Sequence, residues 1–292
     1  MSKPNLKAAL QAGKFVVAPG IHDMITAVVA NKVGFDFVYA SGYWMTASTH
    51  GIPDAGIATY TEMRDRAATL VRTSNASIIA DADTGYGGLL NVHHTVRGYE
   101  DAGVAAIQIE DQVFPKKCGH TPFKRVTPMI DMVEKIKVAC EARRNPDMLV
   151  IARTDSRQTG GYEEAVRRGL AYGEAGADIV FLEALESEDE MRDACKRIAK
   201  PMMANMADGG KTPILSAREL ADIGYALAIY PATTGLAAAQ AAENALSLLK
   251  NQGTSLSPDV PLFNFSEFNN LIGFGEVWEF EKKWARDDAT GG

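Results

Sequence analysis

Cysteine is scarce in this chain, and its scarcity excludes one class of protein. The 292 residues contain Cys118, Cys140 and Cys195 only, and no two of them form a CxxC pair. A disulfide framework of the kind that holds small secreted domains together is therefore excluded. Reduced thiols are typical of a reducing compartment. Because the N-terminus also lacks an apolar stretch of signal-peptide length, the sequence predicts a cytoplasmic protein.

Two further absences concern the partners of the protein. No run of about 18 apolar residues occurs, which argues against a membrane-spanning helix. Lys and Arg together number 30 against 37 Asp and Glu, for a net charge of −7, and no segment concentrates the cations that nucleic-acid phosphates require. We therefore expect neither a membrane nor a nucleic acid as partner. A small anionic substrate is compatible with this acidity, since a few well-placed cations suffice to bind it.

Short apolar runs rich in β-branched residues alternate with segments of helical spacing along the chain. Eight such alternations predict an α/β fold, a closed (β/α)8 TIM barrel, with a doubly wound open sheet as the alternative. We expect one domain over residues 1–292, with residues 252–292 as a C-terminal helical extension. Within it, the aromatic-rich segment 263–285 has an apolar face that needs a partner. The eight apolar runs are residues 15–20, 35–42, 77–87, 105–112, 149–156, 178–184, 201–205 and 225–232.

Polar or small residues stand at the C-terminal end of nearly every apolar run. In a barrel these ends share one mouth, which is where barrel active sites lie. The sequence therefore predicts that these side chains meet in one site. They are Ser41, Gly42, Asp81, Asp83, Glu110, Asp111, Arg153 to Asp155, Glu183 and Asn205.

The segment DADTGYGG (81–88) predicts a metal site. Alternation along a strand places Asp81 and Asp83 on the same side, and two carboxylates held together need a cation between them. Glu110, from the next strand, supplies a third oxygen, so we expect Mg²⁺, with Mn²⁺ as the alternative. The competing interpretation is that these acids cap the following helix. Zinc is disfavoured, because no Cys or His pair here has ligand spacing.

The segment IEDQVFPKKCGH (109–120) places a thiol among cations. Cys118 is surrounded in sequence by Lys116, Lys117 and His120, an environment that lowers a thiol pKa and suits proton transfer. Inert packing is the alternative for a lone cysteine. Arg153, at a strand end, suits a bidentate grip on a carboxylate, or else a structural ion pair.

The segment YASG (39–42) offers a phenol followed by backbone N–H groups that could cradle a carboxylate. The residues that follow it also supply candidates for the wall of the pocket. We expect the wall to include Tyr43, Trp44, Met45 and Phe123.

In these segments the chain resembles the isocitrate lyase/phosphoenolpyruvate mutase superfamily. KKCGH (116–120) is similar to the signature of its carbon–carbon lyase branch, whereas the mutases and phosphonate hydrolases lack the Cys-Gly-His loop. ANMADGGKTP (204–213) looks more like the 2,3-dimethylmalate lyase, petal-death-protein and oxaloacetate hydrolase group than like 2-methylisocitrate lyases. The 2-methylisocitrate lyases tend to carry Thr-Glu-Phe-Gly where this chain has Ala207-Asp208-Gly209-Gly210. The hydroxyl missing at Ala207 would remove a hydrogen bond to an extra substrate carboxylate, which favours a dicarboxylate over a tricarboxylate. Further matches are YASG (39–42), GIPD (51–54), DADTGYG (81–87), IEDQ (109–112), ARTD (152–155), FLEA (181–184) and AN (204–205).

The resemblance implies a Mg²⁺-dependent lyase that cleaves the C2–C3 bond of a 2-hydroxy dicarboxylate, 2,3-dimethylmalate-like or 2-methylisocitrate-like, to pyruvate and a carboxylic acid. It also implies a homotetramer in which segment 263–285 is exchanged between subunits. An oxaloacetate hydrolase or decarboxylase on the same scaffold is the alternative, and a non-catalytic metabolite-binding barrel is the rival from another class. The implied roles are metal binding by Asp54, Asp81, Asp83 and Glu110, proton abstraction by Tyr39, oxyanion stabilisation by Arg153, His120 and Asn205, proton donation by Cys118, and substrate binding by Ser41, Gly42, Tyr43, Gly119, Glu183 and Asn205.

Overall fold

The computed structural model describes residues 3–119 and 123–285. Eight strands follow the eight predicted apolar runs in order. Each strand is short and almost entirely buried, which is typical of a parallel sheet covered on both faces. The strands are β1 (Val16–Ile21), β2 (Phe37–Ala40), β3 (Ser77–Asp81), β4 (Ala106–Glu110), β5 (Leu149–Thr154), β6 (Ile179–Leu182), β7 (Met203–Asn205) and β8 (Leu227–Tyr230).

Helices follow the strands along the chain, as the pattern predicts. Their first turns carry capping residues where the sequence offers them: Thr59 and Glu62 form a capping box, and so do Ser216 and Glu219. The helices are α1 (Leu6–Gln11), α2 (Met24–Val33), α3 (Gly42–His50), α4 (Tyr60–Thr73), α5 (Leu89–Ala102), α6 (Met129–Ala142), α7 (Arg157–Gly160), α8 (Tyr162–Glu174), α9 (Glu188–Arg197), α10 (Ala217–Ile223), α11 (Thr233–Gln252), α12 (Phe265–Leu271) and α13 (Phe274–Trp284).

The strands form one parallel sheet that closes into a barrel. Their order is β6-β5-β4-β3-β2-β1-β8-β7, and a parallel bridge between Val180 in β6 and Met202 beside β7 joins the two ends. The predicted TIM barrel is therefore confirmed, and the open doubly wound sheet is excluded. All carboxyl ends of the strands consequently lie at one end of the barrel.

Alternation along each strand separates an interior layer from an outer one. In β4 the side chain of Ala106 belongs to the inner core, whereas Ile107 and Ile109 pack with the helices outside. Gln108 and Glu110, at even spacing from Ala106, therefore point into the barrel. The same period puts Tyr39 of β2 in the inner core, and places the polar strand ends above it.

The chain divides into two compact units, the first ending at Ala237 and the second beginning at Ala238. The second unit contains the C-terminal part of α11 together with α12 and α13, where Phe265, Phe280 and Trp284 are 79%, 64% and 64% exposed. The predicted apolar surface is thus present. A single domain with an extension starting at residue 252 stays a prediction, as does exchange between subunits.

Among the helices that the structure describes, none has both the length and the apolar character that crossing a membrane requires.

Candidate active site

A cavity of about 290 Å³ lies at the carboxyl ends of the strands and brings together most of the residues that the sequence singled out. Gly42 and Asp83 both contact the carboxylate of Asp81. His120 lies outside the described residues. The predicted residues that line the cavity are Tyr39, Ser41, Tyr43, Asp54, Asp81, Glu110, Cys118, Gly119, Arg153, Glu183 and Asn205.

Lys116 lies among the acids that were predicted to hold a metal. Its Nζ is 2.5 Å from Oδ1 of Asp54 and 2.6 Å from Oδ1 of Asp83, and its side chain is 3% exposed. Burial disfavours the charged ammonium, but Asp83, Asp54, Glu110 and Asp81 outweigh it and raise the Lys116 pKa well above the ordinary value. The charge of Lys116 is therefore paired with carboxylates of the mouth, a contact that the sequence did not predict.

Asp83 does not lie on the strand that carries Asp81. Strand β3 ends at Asp81, and Asp83 adopts a left-handed backbone conformation, with φ of 50°. The two carboxylates are brought together by this turn, in which the Asp83 N–H donates to Oδ1 of Asp81 over 3.0 Å, and not by strand alternation. Burial raises the pKa of Asp83 to about 6, with Lys116 opposing the rise.

The acids of the mouth match a hard divalent cation in donor chemistry. Oε1 of Glu110 is buried without a hydrogen-bond partner in the part of the chain that the structure describes, and burial raises the Glu110 pKa well above its ordinary value. Across residues 3–119 and 123–285, however, no three His, Cys, Asp or Glu side chains are already gathered around one ion position. The Lys116 ammonium occupies the place between Asp54 and Asp83 instead.

Helix α3 starts at the mouth, directly after the YASG segment. Ser41 is its N-cap residue and makes no side-chain capping bond, so the first-turn N–H groups remain available to other acceptors. One of them is used inside the protein, because Gly42 N–H donates to Oδ2 of Asp81 over 3.2 Å. A Cβ at Gly42 would come within 2.9 Å of the same oxygen. Glycine therefore permits this close approach, and the predicted carboxylate cradle has one N–H fewer than expected.

Arg153 is held by three carboxylates. Its Nε and Nη2 contact Asp155 at 2.8 and 3.0 Å, while Glu110 and Glu183 lie 3.3 and 3.2 Å away. Burial opposes its charge, yet the three acids raise the Arg153 pKa further above its usual range. The guanidinium thus has both the structural ion pairs and the cavity-facing position that the sequence offered as alternatives.

Glu183 and Asn205 form a pair at the ends of β6 and β7. The Asn205 Nδ2 donates to Oε2 of Glu183 over 3.1 Å, and the N–H of Ala184 donates to Oε1 over 2.8 Å. Asn205 is therefore oriented by Glu183. Both side chains line the cavity, on the wall that Arg153 also occupies.

The loop that carries Cys118 is fastened at both ends. On one side Gln112 accepts from the N–H of Lys117 over 3.1 Å and donates to its carbonyl over 2.7 Å. On the other side the ammonium of Lys124 donates to the carbonyl of Gly119 and, over 2.9 Å, to Asp155. These bonds place Cys118 on the cavity wall.

Gly119 packs directly on the functional wall. A Cβ at this position would overlap Nη2 of Arg153 and approach Glu183 to 3.0 Å. The loop can therefore pack this closely against the guanidinium only with glycine at position 119.

Three polar residues have positioning roles that the sequence did not predict. For Asp111 the expected place at the mouth is wrong: its carboxylate points away from the cavity and accepts from Tyr172 and Arg168 of α8 at 2.8 and 2.9 Å. Asp155 holds Arg153, and Lys124 connects Asp155 to the loop. Strand alternation, applied residue by residue, would have placed Glu110 and Asp111 on opposite faces of the sheet. No feature of the sequence indicates the role of Lys124.

The predicted pocket wall is correct in part. Tyr43 and Trp44 line the cavity. The prediction is wrong for Met45, which is fully buried in the core, and for Phe123, which is 87% exposed and absent from the cavity wall. Ala207 lines the cavity, together with Asp208 to Gly210.

Tyr39 stands on the cavity wall and belongs to a buried polar chain. Its hydroxyl lies 3.1 Å from Oε1 of Gln108, and Nε2 of Gln108 lies 3.4 Å from Oδ1 of Asp81. Burial, with Asp81 adding to it, raises the Tyr39 pKa well above its ordinary value. The phenol therefore carries its proton at neutral pH.

A family model described as phosphoenolpyruvate phosphomutase matches residues 6–250. The chain belongs to this family. Among curated members, 2,3-dimethylmalate lyase of Eubacterium barkeri is 47% identical over 280 residues, covering 96% of this chain and 97% of the relative. A 2-methylisocitrate lyase of Aeropyrum pernix is 42% identical, covering 95% and 88%. The predicted superfamily is thereby confirmed.

Solved structures agree with this assignment. Crystalline 2,3-dimethylmalate lyase, described as a PEP mutase/isocitrate lyase superfamily member, superposes with a TM-score of 0.89 at 36% identity, covering 100% of this chain and 99% of that one. Oxaloacetate acetylhydrolase in complex with 3,3-difluorooxalacetate gives 0.90 at 32% identity, with coverage of 96% and 95%. A phosphonopyruvate hydrolase complexed with oxalate and Mg²⁺ gives 0.86 at 30%, with coverage of 97% and 98%.

Proposed function

We propose that this protein is a Mg²⁺-dependent lyase that cleaves the C2–C3 bond of a 2-hydroxy dicarboxylate into pyruvate and a second carboxylic acid. Its class, carbon–carbon lyase, follows from family membership and from the relatives named as lyases. One observation carries the finer proposal: the thiol of Cys118, the guanidinium of Arg153 and the carboxylates of the mouth line a single cavity. The 2,3-dimethylmalate-like substrate is favoured, with a 2-methylisocitrate-like substrate next.

The metal would be held by Asp54, Asp81, Asp83 and Glu110, directly or through water. Their oxygen donors suit Mg²⁺, and the unpartnered Oε1 of Glu110 supports the assignment. When bound, Mg²⁺ would supply Lewis-acid polarisation of the substrate oxygens.

The substrate is oriented by groups of two walls. Tyr39 accepts the hydrogen bond of the C2 hydroxyl, and the first-turn N–H groups of α3 receive the adjoining carboxylate. Proton abstraction from this hydroxyl by Tyr39 stays a prediction, and it requires the phenol, which burial holds protonated, to ionise when the substrate binds. As the C2–O bond becomes a carbonyl, the C2–C3 electron pair remains on C3.

Negative charge then develops on the departing carboxylate. Arg153 and Asn205 line the cavity there and supply preorganised donors, which stabilise such charge by several kcal/mol. Cys118 gives its proton to C3, completing the second product as a carboxylic acid. His120 is proposed to assist at the oxyanion on the strength of the resemblance alone.

The wall around Ala207 supports a dicarboxylate. Ala207 lines the cavity without a hydroxyl, so it offers no hydrogen bond to a third carboxylate. We accordingly expect 2,3-dimethylmalate to be a better substrate than 2-methylisocitrate.

A homotetramer in the cytoplasm is part of the proposal. The exposed aromatic residues of α12 and α13 give a surface that a second copy of the chain would cover, through exchange of segment 263–285.

A coupled assay tests the function directly. The purified protein is given Mg²⁺ and, in parallel, 2,3-dimethylmalate, 2-methylisocitrate, citramalate and oxaloacetate, and pyruvate is measured with lactate dehydrogenase. We expect pyruvate from 2,3-dimethylmalate above all, and its loss on addition of EDTA.

Consumption of oxaloacetate alone would refute the lyase proposal. Oxalate and acetate as products would then identify a hydrolase, to which the likeness to oxaloacetate acetylhydrolase gives structural support. Pyruvate and carbon dioxide would identify a decarboxylase.

A further inference from the structure

Gln108 is a fully buried polar side chain that touches two groups of the cavity wall. It belongs to β4, points into the barrel, and bridges the hydroxyl of Tyr39 and the carboxylate of Asp81, at 3.1 and 3.4 Å. It does not itself line the cavity. Its influence on a substrate must therefore act through the two residues that it contacts.

The carboxylate of Asp81 determines which way the Gln108 amide points. Oδ1 of Asp81 accepts from the Asp83 N–H over 3.0 Å, and Oδ2 accepts from the Gly42 N–H over 3.2 Å. Both oxygens of this carboxylate thus act as acceptors. The NH₂ end of Gln108 therefore faces Asp81, and its carbonyl oxygen faces Tyr39.

The orientation of the amide in turn determines whether the Tyr39 hydroxyl acts as a donor or as an acceptor toward the cavity. A carbonyl oxygen can only accept, so the Tyr39 hydroxyl must donate its single proton to Gln108. What the phenol presents to the cavity is then a lone pair. Burial keeps the phenol protonated by raising its pKa, so this polarity persists across the neutral range.

We propose that Gln108 is a positioning residue that fixes Tyr39 as a hydrogen-bond acceptor, so that the site prefers a 2-hydroxy acid to the matching 2-oxo acid. The inference rests on the proposed function, which places the C2 oxygen of the substrate against Tyr39. A C2 hydroxyl donates to the Tyr39 lone pair. A C2 carbonyl has no proton and sets its own lone pair against that of Tyr39.

The same oxygen changes character during the proposed reaction. It enters as the hydroxyl of the substrate and leaves as the carbonyl of pyruvate. A cavity wall that accepts a hydrogen bond from the C2 oxygen but does not donate one to it therefore binds the substrate more tightly than the product. This difference promotes the release of pyruvate.

Lactate and pyruvate are suitable probes because they differ only at C2. Their dissociation constants are measured by calorimetry with excess Mg²⁺ for the wild-type protein, Gln108→Met, Tyr39→Phe and the double variant. Methionine keeps the length of glutamine, has no donor, and replaces the amide oxygen by a sulfur that accepts only weakly. Thermal unfolding of each variant verifies that it is folded.

We expect wild-type protein to prefer lactate, and Gln108→Met to reduce this preference by about fivefold to tenfold, the usual value of one hydrogen bond. Tyr39→Phe should reduce it similarly. In the Tyr39→Phe background the Gln108 substitution should change nothing further, because the acceptor through which it acts is already gone.

Gln112→Met is the matched control. Gln112 is a second buried glutamine, just beyond the end of β4, but it binds the backbone of Lys117 and not Tyr39. Its replacement should alter the affinity for both ligands alike and leave their ratio unchanged. If both substitutions merely destabilised the packing of the barrel, the ratio of lactate to pyruvate affinity would change in Gln108→Met and in Gln112→Met alike.

Equal binding of lactate and pyruvate by wild-type protein, or binding of neither, overturns the inference. An unchanged preference in Gln108→Met does so as well. If Gln108→Met does not fold, Tyr39→Phe decides alone, since a preference that persists without the phenol oxygen cannot arise from it. Absence of turnover on every hydroxy dicarboxylate refutes the proposed function separately, because the ligand preference is measured without catalysis.

Discussion

Replacing Asp155 by Asn tests the buried charge network behind the cavity. The Asp155 carboxylate is fully buried and accepts from Lys124 over 2.9 Å and from Arg153 over 2.8 and 3.0 Å. Asparagine keeps the shape but loses the charge, and turns an NH₂ group toward one of the two cations. Both cations then remain buried with weaker compensation.

The expected magnitude follows from the acidity of Asp155. Burial alone would raise its pKa, but Arg153 and Lys124 lower it from 3.8 to about 2. A change of this size corresponds to roughly 2 to 3 kcal/mol of stability at neutral pH. Breaking a buried ion pair costs about 3 to 5 kcal/mol. We therefore expect Asp155→Asn to lower the free energy of unfolding by about 3 kcal/mol.

Denaturant unfolding at pH 7 measures this loss, and an exposed ion pair provides the control. Lys14 and Asp36 lie 2.6 Å apart, with their side chains 56% and 52% exposed, so Asp36→Asn should cost less than about 1 kcal/mol. A loss in Asp155→Asn as small as in this control would refute the reasoning.

The lowered pKa of Asp155 also predicts the direction in which its contribution to stability changes with pH. The folded-state pKa of Asp155 is depressed, so its contribution is complete above pH 3.8 and is lost as the pH falls toward 2. The difference in stability between wild type and Asp155→Asn should therefore shrink over this interval. A constant difference would contradict the cause proposed here.

Four further predictions concern the loop, the acids and the second unit. Lys116→Met removes the cation between two carboxylates, so the thermal midpoint in EDTA should fall and Mg²⁺ should raise it more than in wild type; scanning fluorimetry showing equal Mg²⁺ shifts would contradict this. Cys118→Ser should lower turnover by about 10² to 10⁴ while calorimetric binding of pyruvate is retained, and undiminished turnover would remove the acid assignment. Gly119→Ala should lower kcat/KM at least about tenfold, because the new Cβ would overlap the arginine behind it; Gly88→Ala, where a Cβ meets nothing within 4 Å, should not. Trp284→Glu should reduce the molar mass measured by light scattering, whereas an unchanged mass would exclude this surface from the assembly.

The barrel could be predicted because its signal is local and repeats. Each strand is a short buried run, and each run ends in a polar residue that the closed sheet brings to one mouth. Residues such as Arg153, Glu183 and Asn205 needed no further information, since the position of a strand end determines where its side chain goes.

The ion pairs and hydrogen bonds within the site could not be predicted in the same way. Lys116 lies among the acids because its loop folds back over the mouth, and Lys124 reaches Asp155 across 31 positions of sequence. Neither contact produces a periodic pattern in the amino-acid sequence. Asp83 meets Asp81 through a turn with positive φ, which no alternation rule describes. Long-range loop geometry, and not residue type, decides these partners.

The position of Lys116 also bears on how the chain reaches its folded state. A cluster of acids in a closed space resists being brought together, and a newly made chain has no guarantee of meeting a divalent ion at that moment. Lys116 acts as a counter-ion tethered to the chain itself, so we expect the barrel to assemble without metal.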